Sequence, residues 1–464
     1  MHETLIAALR CPVCRSPLTL SASTDGRRVG AQFGVLGCGR HEYPVIDGIP
    51  VLRLGRVDVQ DQMDGRTEVV GPSVEDLVAM VRGRQPIEAL VALLAFPPAL
   101  PVGLEGVPVL RLPLTRGPVA RALLRTRRRL VRGLLQGDLT RQTAQQWMRL
   151  CYLQTRNVNR ELYPYFFARF GQPRHIASLA LTSILRPSGL PVLDLACGFG
   201  HIMHNFSARA EPLAAVGMDR NFFQLWVASR FVAPRAQYVC ADAATQLPFA
   251  EGSFAASVCT DAFHLLPDKP ARMADLRRCS QQGTVIIDRV GNRMMEPRDV
   301  DTELTPQGYL DLAASTTVRM VGQRELVQGY LDGRGPRLAN NRPPASFDNE
   351  KWLSLVISDD ASLFTDHQSF DRLPHAEGPL GINPVYRGTV HPWGVKLRFE
   401  FPSTWYAFEN AGMLAYSAAG VRLSHDQFRS AREGQRSEEL VGTFVQIGMP
   451  ERYAEPLQVP AVTG

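Results

Sequence analysis

The stretch 191–201, "PVLDLACGFGH", places an apolar run directly before an aspartate and a turn of small residues. Val192 and Leu193 predict a short buried strand. Gly198 and Gly200 stand where the chain must turn sharply and where another molecule can approach the backbone. A glycine pattern of this kind is a weak signal alone, so the sequence around it must decide what the turn binds.

Polar residues end each of the strands predicted downstream of this turn. "LAAVGMD" ends in Asp219, "AQYVCAD" ends in Asp242, and "ASVCTD" ends in Thr260 and Asp261. "GTVIIDRV" then predicts a fifth strand, and helical patterns separate these strands. This alternation predicts an α/β fold with a doubly wound parallel sheet. A ligand crevice is expected outside the carboxyl ends of such strands.

Two ligand classes fit a crevice of this kind. A dinucleotide favours G-x-G-x-x-G, with the helix N-terminus facing the pyrophosphate. Here the turn is "ACGFGH", and His201 occupies the position where the last glycine would stand. His201 and Asp194 suit an amino-acid tail with an ammonium group better than a diphosphate. Asp219 is placed to hold ribose hydroxyls.

The linked segments "LDLACGFG", "GMDRN", "ADAATQLPFAEGSFA" and "DAFHLLPD" closely resemble the class I S-adenosylmethionine-dependent methyltransferases. The similarity is strongest to the branch that contains ubiquinone and menaquinone C-methyltransferases, and it covers about residues 160–292. The resemblance implies a Rossmann-like doubly wound sheet, S-adenosylmethionine as the methyl donor, and methyltransferase activity.

The resemblance also implies which residues bind the donor. The implied set is Asp194, Ala196, Gly198, Gly200, Met218, Asp219, Arg220, Asp242, Ala243 and Thr260. Asp194, through water, and the backbone of the glycine turn would meet the methionine portion, and Asp219 would bind both ribose hydroxyls. Met218 and Arg220 would flank the adenine. Asp242 and the adjacent Ala243 would meet its edge.

Candidates for catalysis follow the fourth strand. Thr260 and Asp261 would border the reacting methyl group, by the same resemblance. The enzyme mostly aligns a nucleophile for in-line displacement, and a base is needed only if the acceptor carries a proton that must leave. Asp261 and His264 are the nearest candidates for that base. His264 is alternatively a histidine that packs under the "LLPDK" turn.

Two short motifs near the N-terminus predict a metal site. "CPVC" supplies Cys11 and Cys14, and "CGRH" supplies Cys38 and His41. Two closely spaced pairs of soft ligands match a structural zinc site; the alternative is two unrelated thiols and a surface histidine. A segment with so little core would draw much of its folding free energy from the metal.

The sequence after the second motif strengthens this interpretation. "YPVIDGIPVLR" predicts a short hairpin around an Asp-Gly turn. Residues 5–55 resemble a small zinc-binding domain that is fused to, or partners, certain methyltransferases. Examples are the activator subunit of eukaryotic tRNA methyltransferases and the N-terminal hook of bacterial 23S rRNA guanine methyltransferases.

Composition sets broad limits. The chain has 464 residues, 45% apolar and 21% charged, which is typical of a soluble globular protein. A net charge of +6 does not by itself indicate nucleic acid binding. Neither a secretory signal nor a transmembrane segment is predicted, so we expect a cytoplasmic protein whose eight cysteines are ligands or thiols. An arginine-rich amphipathic helix within 116–153 is either a solvated helix or a surface for RNA, membrane or a partner.

We therefore predict four regions. They are a zinc-ribbon-like domain at 1–55, a helical linker or insert at 56–158, the methyltransferase domain at 159–292, and an α+β appendage at 293–464. In the appendage, 306–331 predicts helix, "KWLSLVISDD" a strand, and the Pro-Trp-Gly segment a hairpin. The appendage is a possible substrate domain or lid, and its candidate pocket or core residues are His375, His391, Trp393, Trp405, Tyr406 and Glu409.

The expected function is methyl transfer to an unidentified small-molecule or saccharide-type acceptor, on oxygen or carbon. RNA base methylation is an alternative, which the zinc motif and the arginine-rich helix favour. A catalytically silent donor-binding scaffold is a second alternative. The sequence does not predict the oligomeric state.

Overall fold

The computed structural model describes residues 2–23, 32–57, 71–95, 118–152, 158–295, 303–313 and 316–457. The strands, numbered in chain order, are β1 Thr19–Ser23, β2 Gly34–Gly37, β3 Glu42–Ile46, β4 Ile49–Leu52, β5 Val192–Leu195, β6 Ala215–Asp219, β7 Gln237–Ala241, β8 Ala256–Thr260, β9 Val285–Gly291, β10 Thr317–Gly322, β11 Trp352–Ser358, β12 Leu380–Ile382, β13 Tyr386–His391, β14 Gly394–Phe399, β15 Gly420–Leu423 and β16 Gln446–Gly448.

The helices between them are mostly short. They are α1 Glu3–Ala8, α2 Val74–Arg82, α3 Pro86–Leu94, α4 Pro118–Gln136, α5 Ala144–Tyr152, α6 Val158–Phe167, α7 Pro173–Thr182, α8 His201–Ala208, α9 Phe222–Val227, α10 Lys269–Cys279, α11 Pro306–Asp311, α12 Gln323–Leu331, α13 Thr404–Asn410, α14 His425–Arg432 and α15 Glu438–Gly442.

The chain divides into two compact units. The first comprises Met1–Tyr163, Gly198–Gly200 and Val216–Ala250. Its strands β1 to β4 form an antiparallel meander, β4 pairs in parallel with β7, and β7 pairs in parallel with β6. The N-terminal segment that predicts a metal site is therefore joined by backbone hydrogen bonds to the strands that end in Asp219 and Asp242.

The β3–β4 turn explains how this hairpin is held. Asp47 and Gly48 both have positive φ, at +50° and +81°, which is the backbone of a type I′ turn. The Asp47 carboxylate accepts a hydrogen bond from Trp226 Nε1 at 2.7 Å and one from Arg230 Nε at 3.0 Å. One aspartate therefore forms the predicted turn and also ties it to the helix after β6.

The second unit comprises Pro164–Cys197, His201–Ala215 and Glu251–Gly464. Strands β5, β8 and β9 are parallel, and β11 and then β10 extend them with antiparallel pairing. The strand predicted in "KWLSLVISDD" is confirmed as β11. The boundary predicted at residue 292 separates β9 from β11, which are hydrogen-bonded neighbours in this sheet.

The helix predicted for 306–331 is wrong in its middle. The segment forms α11, then strand β10, then α12. Residues 316–318 are Thr-Thr-Val, whose β-branched side chains favour extended backbone. All six residues of β10 pair with β11, from Thr317 opposite Ser358 to Gly322 opposite Leu353. Tertiary pairing therefore overrides the helical spacing of the flanking sequence.

The C-terminal part of the second unit has its own small core. Strands β13, β14 and β15 form a three-stranded antiparallel sheet, and the predicted Pro-Trp-Gly hairpin is confirmed because His391 pairs with Gly394. Tyr386, Leu397 and Tyr406 are fully buried in the cluster that this sheet covers. Burial of about 25 cal/mol per Å² of apolar surface is the main free energy that holds such a sheet in place.

Histidines of the second unit pack around aromatic rings in the interior. The ring of Phe170 lies 5.2 Å from His175, 5.0 Å from His201 and 5.6 Å from His204, measured between ring centroids. His375 stacks on Phe444, with 4.0 Å between centroids. Burial, helped by Arg169, lowers the pKa of His175 to about 3, and burial lowers the pKa of His375 to about 4.

These histidines predict acid sensitivity. His175 and His375 are neutral in the folded chain, whereas the unfolded chain binds their protons below pH 6.5 or so. The free energy of unfolding should therefore fall as the pH drops below this value. Each such histidine should contribute a loss of about 1.4 kcal/mol per pH unit, until the pH reaches the pKa of that histidine in the folded chain. Urea unfolding at pH 7, 6 and 5 measures the slope.

Two variants test whether the buried histidines cause this dependence of the unfolding free energy on pH. His375→Gln should flatten the dependence on pH, because it removes one group that titrates only after unfolding. His425→Gln is the control, because His425 is exposed. Equal slopes in the wild type and in His375→Gln would contradict the assignment.

Candidate functional site

The turn after β5 has the backbone that its glycines predict. Ala196, Gly198 and Gly200 have φ of +58°, +52° and +74°. A Cβ atom on Gly198 would lie 3.2 Å from Gln224 Oε1 and would also strain the backbone. The turn therefore presents bare main chain, which is the surface that a ligand lying against it requires.

Asp219 is bound to this turn. Its Oδ2 accepts a hydrogen bond from Gly198 N at 3.0 Å, and its Oδ1 accepts one from Asn221 N at 2.9 Å. Two backbone donors fix the plane of the carboxylate, and a carboxylate oxygen can accept more than one hydrogen bond. The structure thus brings together two residues, Gly198 and Asp219, that the sequence predicts for donor binding.

Asp242 directly follows β7, the parallel neighbour of β6. Its Oδ1 accepts a hydrogen bond from Ala244 N at 2.9 Å, and its Oδ2 lies 3.1 Å from Arg53 Nη1. The Arg53 side chain is 6% exposed and that of Asp242 is 36% exposed, so the ion pair is shielded on the arginine side and open to solvent on the aspartate side. Arg53 follows β4 of the N-terminal hairpin, and no motif in the sequence links it to Asp242. The pairing of β4 with β7 places it there.

The remaining predicted residues of this unit differ in exposure. Met218 is buried within β6, Arg220 is exposed after it, and Ala243 is half-buried beside Asp242. A buried methionine and a flexible exposed arginine on either side of Asp219 are compatible with flanking a flat ring. Their roles in donor binding stay a prediction.

The four predicted metal ligands converge. One ligand atom from each of Cys11, Cys14, Cys38 and His41 lies within 4.8 Å of the other three. The Cys14 and Cys38 sulfurs are 3.6 Å apart, and His41 Nδ1 is 3.5 Å from Cys11 Sγ and 3.6 Å from Cys38 Sγ. A tetrahedral ion with bonds of about 2.3 Å to sulfur needs edges of about 3.8 Å. The spacing therefore suits one tetrahedral metal ion.

Surrounding groups shift the thiol pKa values in opposite directions, because burial raises the pKa of Cys38 while hydrogen bonds lower that of Cys14. His41 N donates to Cys38 Sγ at 3.3 Å, and the Tyr43 hydroxyl lies 3.3 Å from Cys11 Sγ. Hydrogen bonds from Ser16 lower the pKa of the Cys14 thiol to about 6. Such contacts orient metal ligands and favour the thiolate that binds metal.

In the second unit, the sequence-predicted residues lie at the ends of β5 and β8. Asp194 is buried in β5 opposite Val258 of β8, and Thr260 ends β8. Asp261 follows with φ of +57°, a strained conformation for a residue with a side chain. This conformation turns the chain sharply at the point where the predicted catalytic residues begin.

Asp261 is the centre of a group of buried polar residues, which we name the Asp261 cluster. Its members are Asp261, Tyr165, Arg169, Arg174, Arg289 and Glu409. Asp261 Oδ2 accepts from the Tyr165 hydroxyl at 2.5 Å, from Arg169 Nη1 at 3.0 Å and from Arg174 Nη1 at 3.2 Å. Its Oδ1 pairs with Arg289.

Glu409 completes this cluster from the C-terminal segment. Its Oε2 accepts from Arg174 Nη2 at 3.1 Å and from Arg289 Nη2 at 3.3 Å. Burial alone would raise the pKa of Asp261, but Arg289, Arg174 and Arg169 hold it well below its usual value. Asp261 is therefore ionised at neutral pH and is a weak proton acceptor.

His264 lies on the turn that follows Asp261 and is half-buried. Its ring centroid is 6.2 Å from that of Trp352, and the Arg289 guanidinium lies 3.5 Å from the same Trp352 ring centroid. His264 is thus beside the Asp261 cluster. Its role as a base stays a prediction.

The polar and aromatic residues predicted for the C-terminal region separate into two groups. Glu409 belongs to the Asp261 cluster, and Trp405 lies 5.4 Å from Tyr165 between ring centroids. Tyr406 and His375 are core residues, and Trp393 stacks on His391 of the β13–β14 hairpin. The sequence offered no spacing that predicts Arg169, Arg174 and Arg289 around Asp261, since they lie on three separate elements.

The Asp261 cluster predicts that one substitution lowers the free energy of unfolding strongly. Asp261→Asn keeps the shape of the side chain but leaves three buried guanidinium groups with one carboxylate. We expect the free energy of unfolding to fall by about 3 to 5 kcal/mol. Urea unfolding measures it. Asp426→Asn is the control, because its pair with Arg429 is exposed and should contribute less than about 1 kcal/mol. A similar small loss in both variants would contradict the cluster's importance.

Comparison with known proteins identifies the central part of the chain. Residues 192–283 match the family model described as a methyltransferase domain. No curated protein matches the chain.

Several solved structures are similar to part of it. The YcgJ protein of Bacillus subtilis is 16% identical, over 40% of this chain and 99% of that chain, with a TM-score of 0.28. An S-adenosylmethionine-dependent methyltransferase of Mesorhizobium loti is 15% identical, over 39% and 97%, with a TM-score of 0.30. A phosphoethanolamine N-methyltransferase of Haemonchus contortus is 13% identical, over 39% and 52%, with a TM-score of 0.28.

The family match and the parallel strands with their helices agree with the fold class predicted from the sequence. The fold is mixed α/β, of the Rossmann-like class I methyltransferase type, and the chain is an S-adenosylmethionine-dependent methyltransferase. In the described ranges, no helix combines the length and the apolar character that a membrane span requires.

Proposed function

We propose that this methyltransferase transfers a methyl group from S-adenosylmethionine to a small-molecule or saccharide-type acceptor, on oxygen or carbon. The observation that carries the proposal is the Asp219 carboxylate, held by Gly198 N beside the bare glycine turn. The domain match over 192–283 supports it. The scaffold alternative explains neither the match nor why the polar residues of the motif are all present.

The residues present fit the donor. Asp219 is a carboxylate at the end of β6, where the ribose hydroxyls of a nucleotide-like ligand are held, and Asp242 is held at the end of the neighbouring strand. The turn from Ala196 to Gly200 exposes backbone to the methionine portion. Asp194 and Thr260, at the ends of β5 and β8, complete the proposed set. When bound, the donor supplies a methyl group already activated on a sulfonium, so the chain's main task is to orient the acceptor.

The acceptor side is assigned to the second unit. Asp261 stays ionised and organises three arginines, so we give it a positioning role. His264 is the group that can accept a proton, where the acceptor has one to lose. Trp405 and Glu409 reach the Asp261 cluster from the C-terminal segment. That segment therefore supplies residues to the acceptor side, as a substrate domain would.

Methyl transfer from isotope-labelled donor tests the proposal. The purified chain is incubated with extract of host cells that lack the gene, and the label is counted by fraction before and after ribonuclease. We expect label in a small-molecule or glycan fraction that ribonuclease does not release. Asp219→Ala should abolish this methyl transfer. It should also weaken S-adenosylhomocysteine binding by about tenfold or more, because two ribose hydrogen bonds are lost.

Asp311→Ala is the matched control for this variant. Asp311 is an exposed aspartate at the end of α11 and should leave donor binding unchanged. Unaltered binding in Asp219→Ala would remove the ribose assignment. Label that ribonuclease releases from the large-molecule fraction would favour RNA instead.

One observation keeps RNA as the second candidate. Arg121, Arg125, Arg128 and Arg129 are exposed on one face of α4, and none forms an ion pair within the part of the chain that the structure describes. Arg132, one turn further, is paired with Glu88 at 2.7 Å. Four arginines in just over two turns suit a phosphate backbone. They touch no residue that we assign to methyl transfer.

We propose that the four N-terminal ligands bind one structural zinc ion. Three thiolates and one imidazole with closed tetrahedral spacing are the donor set that zinc prefers. Zinc would supply a rigid centre beside a meander whose strands β2 to β4 are themselves largely buried, so the metal adds to an apolar core that the short sequence segment did not predict. The resemblance of this segment to zinc domains of RNA methyltransferases stays a prediction, as does the ubiquinone-type branch. We propose a cytoplasmic location, because none of the eight cysteines, all of which the structure describes, forms a disulfide.

The zinc proposal predicts one metal ion per chain. Metal analysis of the purified chain should find close to one zinc, and Cys38→Ser should lose it together with the stability of the N-terminal meander. Cys279→Ser is the control, since Cys279 is a buried thiol of the second unit and belongs to no ligand set. Full zinc content in Cys38→Ser would contradict the assignment.

A further inference from the structure

We propose that the acceptor is a planar apolar molecule that carries a carboxylate or a similar anionic group, and that it binds at an aromatic rim beside the Asp261 cluster. The aromatic rim consists of Leu265, Lys351, Trp352, Trp405 and Phe408. This inference rests on the proposed methyl transfer and narrows its substrate class.

Exposed apolar side chains are the first observation. Phe408 is 71% exposed and Leu265 is 62% exposed, which are high values for large apolar residues. Leu265 follows His264, the predicted base. Phe408 and Trp405 are three residues apart on α13 and share a face with Glu409, which reaches into the Asp261 cluster. The apolar surface therefore adjoins the predicted catalytic residues, where an acceptor must bind.

Contacts of Lys351 connect the rim into one surface. Its ammonium lies 5.8 Å from the ring centroid of Trp352 and 5.6 Å from that of Phe408. Trp352 in turn contacts His264 and Arg289. Lys351 has no carboxylate partner in the described part of the chain, so its charge is balanced only by the faces of two rings.

The balance of charge decides the kind of acceptor. Three arginines, Arg169, Arg174 and Arg289, pair with two carboxylates, Asp261 and Glu409, and Lys351 adds a fourth cation at the aromatic rim. Burial raises the pKa of the nearby Asp288, and its oxygens accept hydrogen bonds from two serines. The four cations outnumber the carboxylates even when Asp288 is counted as an anion.

A surplus of positive charge in a largely desolvated cluster favours an anion and disfavours a cationic amine. Arginine and lysine are the side chains that recognise carboxylate and phosphate. The rings beside them favour a flat apolar body. Both features together describe an aromatic or similarly flat acid more closely than a neutral sugar.

Calorimetric titration of the full chain tests this inference. The chain is first saturated with S-adenosylhomocysteine and then titrated with 2-naphthoate and, separately, with its neutral analogue 2-naphthamide. We expect naphthoate to bind about tenfold more tightly, because only it carries the charge. Lys351→Gln and Phe408→Ser should each weaken naphthoate binding by about fivefold or more. Only Lys351→Gln should reduce the difference in affinity between 2-naphthoate and 2-naphthamide.

Arg422→Gln is the matched control. Arg422 lies 5.4 Å from the ring centroid of the exposed Trp393, a similar cation and ring pair on the three-stranded sheet. The Arg422→Gln variant should bind both probes with unchanged affinity. Lys351 is half-buried and Phe408 is exposed, so equal melting temperatures should accompany all three variants.

The titrations separate the two proposals. Equal affinity for the two probes, or variants without effect, would overturn the inference about the acceptor while S-adenosylhomocysteine binding still supports methyl transfer. A chain that does not bind S-adenosylhomocysteine would overturn the proposed function itself.

Discussion

The second unit depends on the ionised carboxylate of Asp261. Three guanidinium groups, 3% to 13% exposed, would be costly to bury without an anion among them. Because the arginines lie near α6, on α7 and on β9, the aspartate fixes three separate elements relative to the end of β8. Glu409 adds α13 to the same set of charges. Ion pairs therefore hold these elements of the second unit in position, in addition to the packing of the apolar core.

A comparable constraint operates in the first unit through backbone hydrogen bonds. The N-terminal meander is attached edge to edge, since β4 pairs with β7 and brings Arg53 to Asp242. Strands β4 and β7 therefore link the metal-ligand segment to a residue that we assign to the adenine.

The sequence predicts best what depends on local pattern. The glycine turn, the acidic strand ends, the two ligand pairs and the Asp-Gly hairpin all follow from spacing, and the structure brings Gly198 to Asp219 and unites the four metal ligands. Local pattern failed for β10, where pairing with β11 outweighs a helical spacing. It could not predict the Asp261 cluster, because its six members come from distant parts of the chain and no shared spacing links Asp261 or Glu409 to the three arginines. Long-range charge pairing leaves no periodic signal in a sequence.

The Asp261 cluster also sets a conflict between stability and recognition. Replacing one arginine by an apolar residue would remove a surplus buried charge and could stabilise the fold, as is common for buried ion networks. The same change would remove the positive charge that an anionic acceptor needs. A site with more cations than anions therefore lowers the free energy of unfolding of the empty protein. An anionic ligand balances the excess positive charge when it binds. Lys351 lies outside this conflict, because its half-buried ammonium contributes charge to the aromatic rim without being a member of the network. Selectivity for the acceptor can consequently change at the rim while the carboxylate that holds the second unit together stays in place.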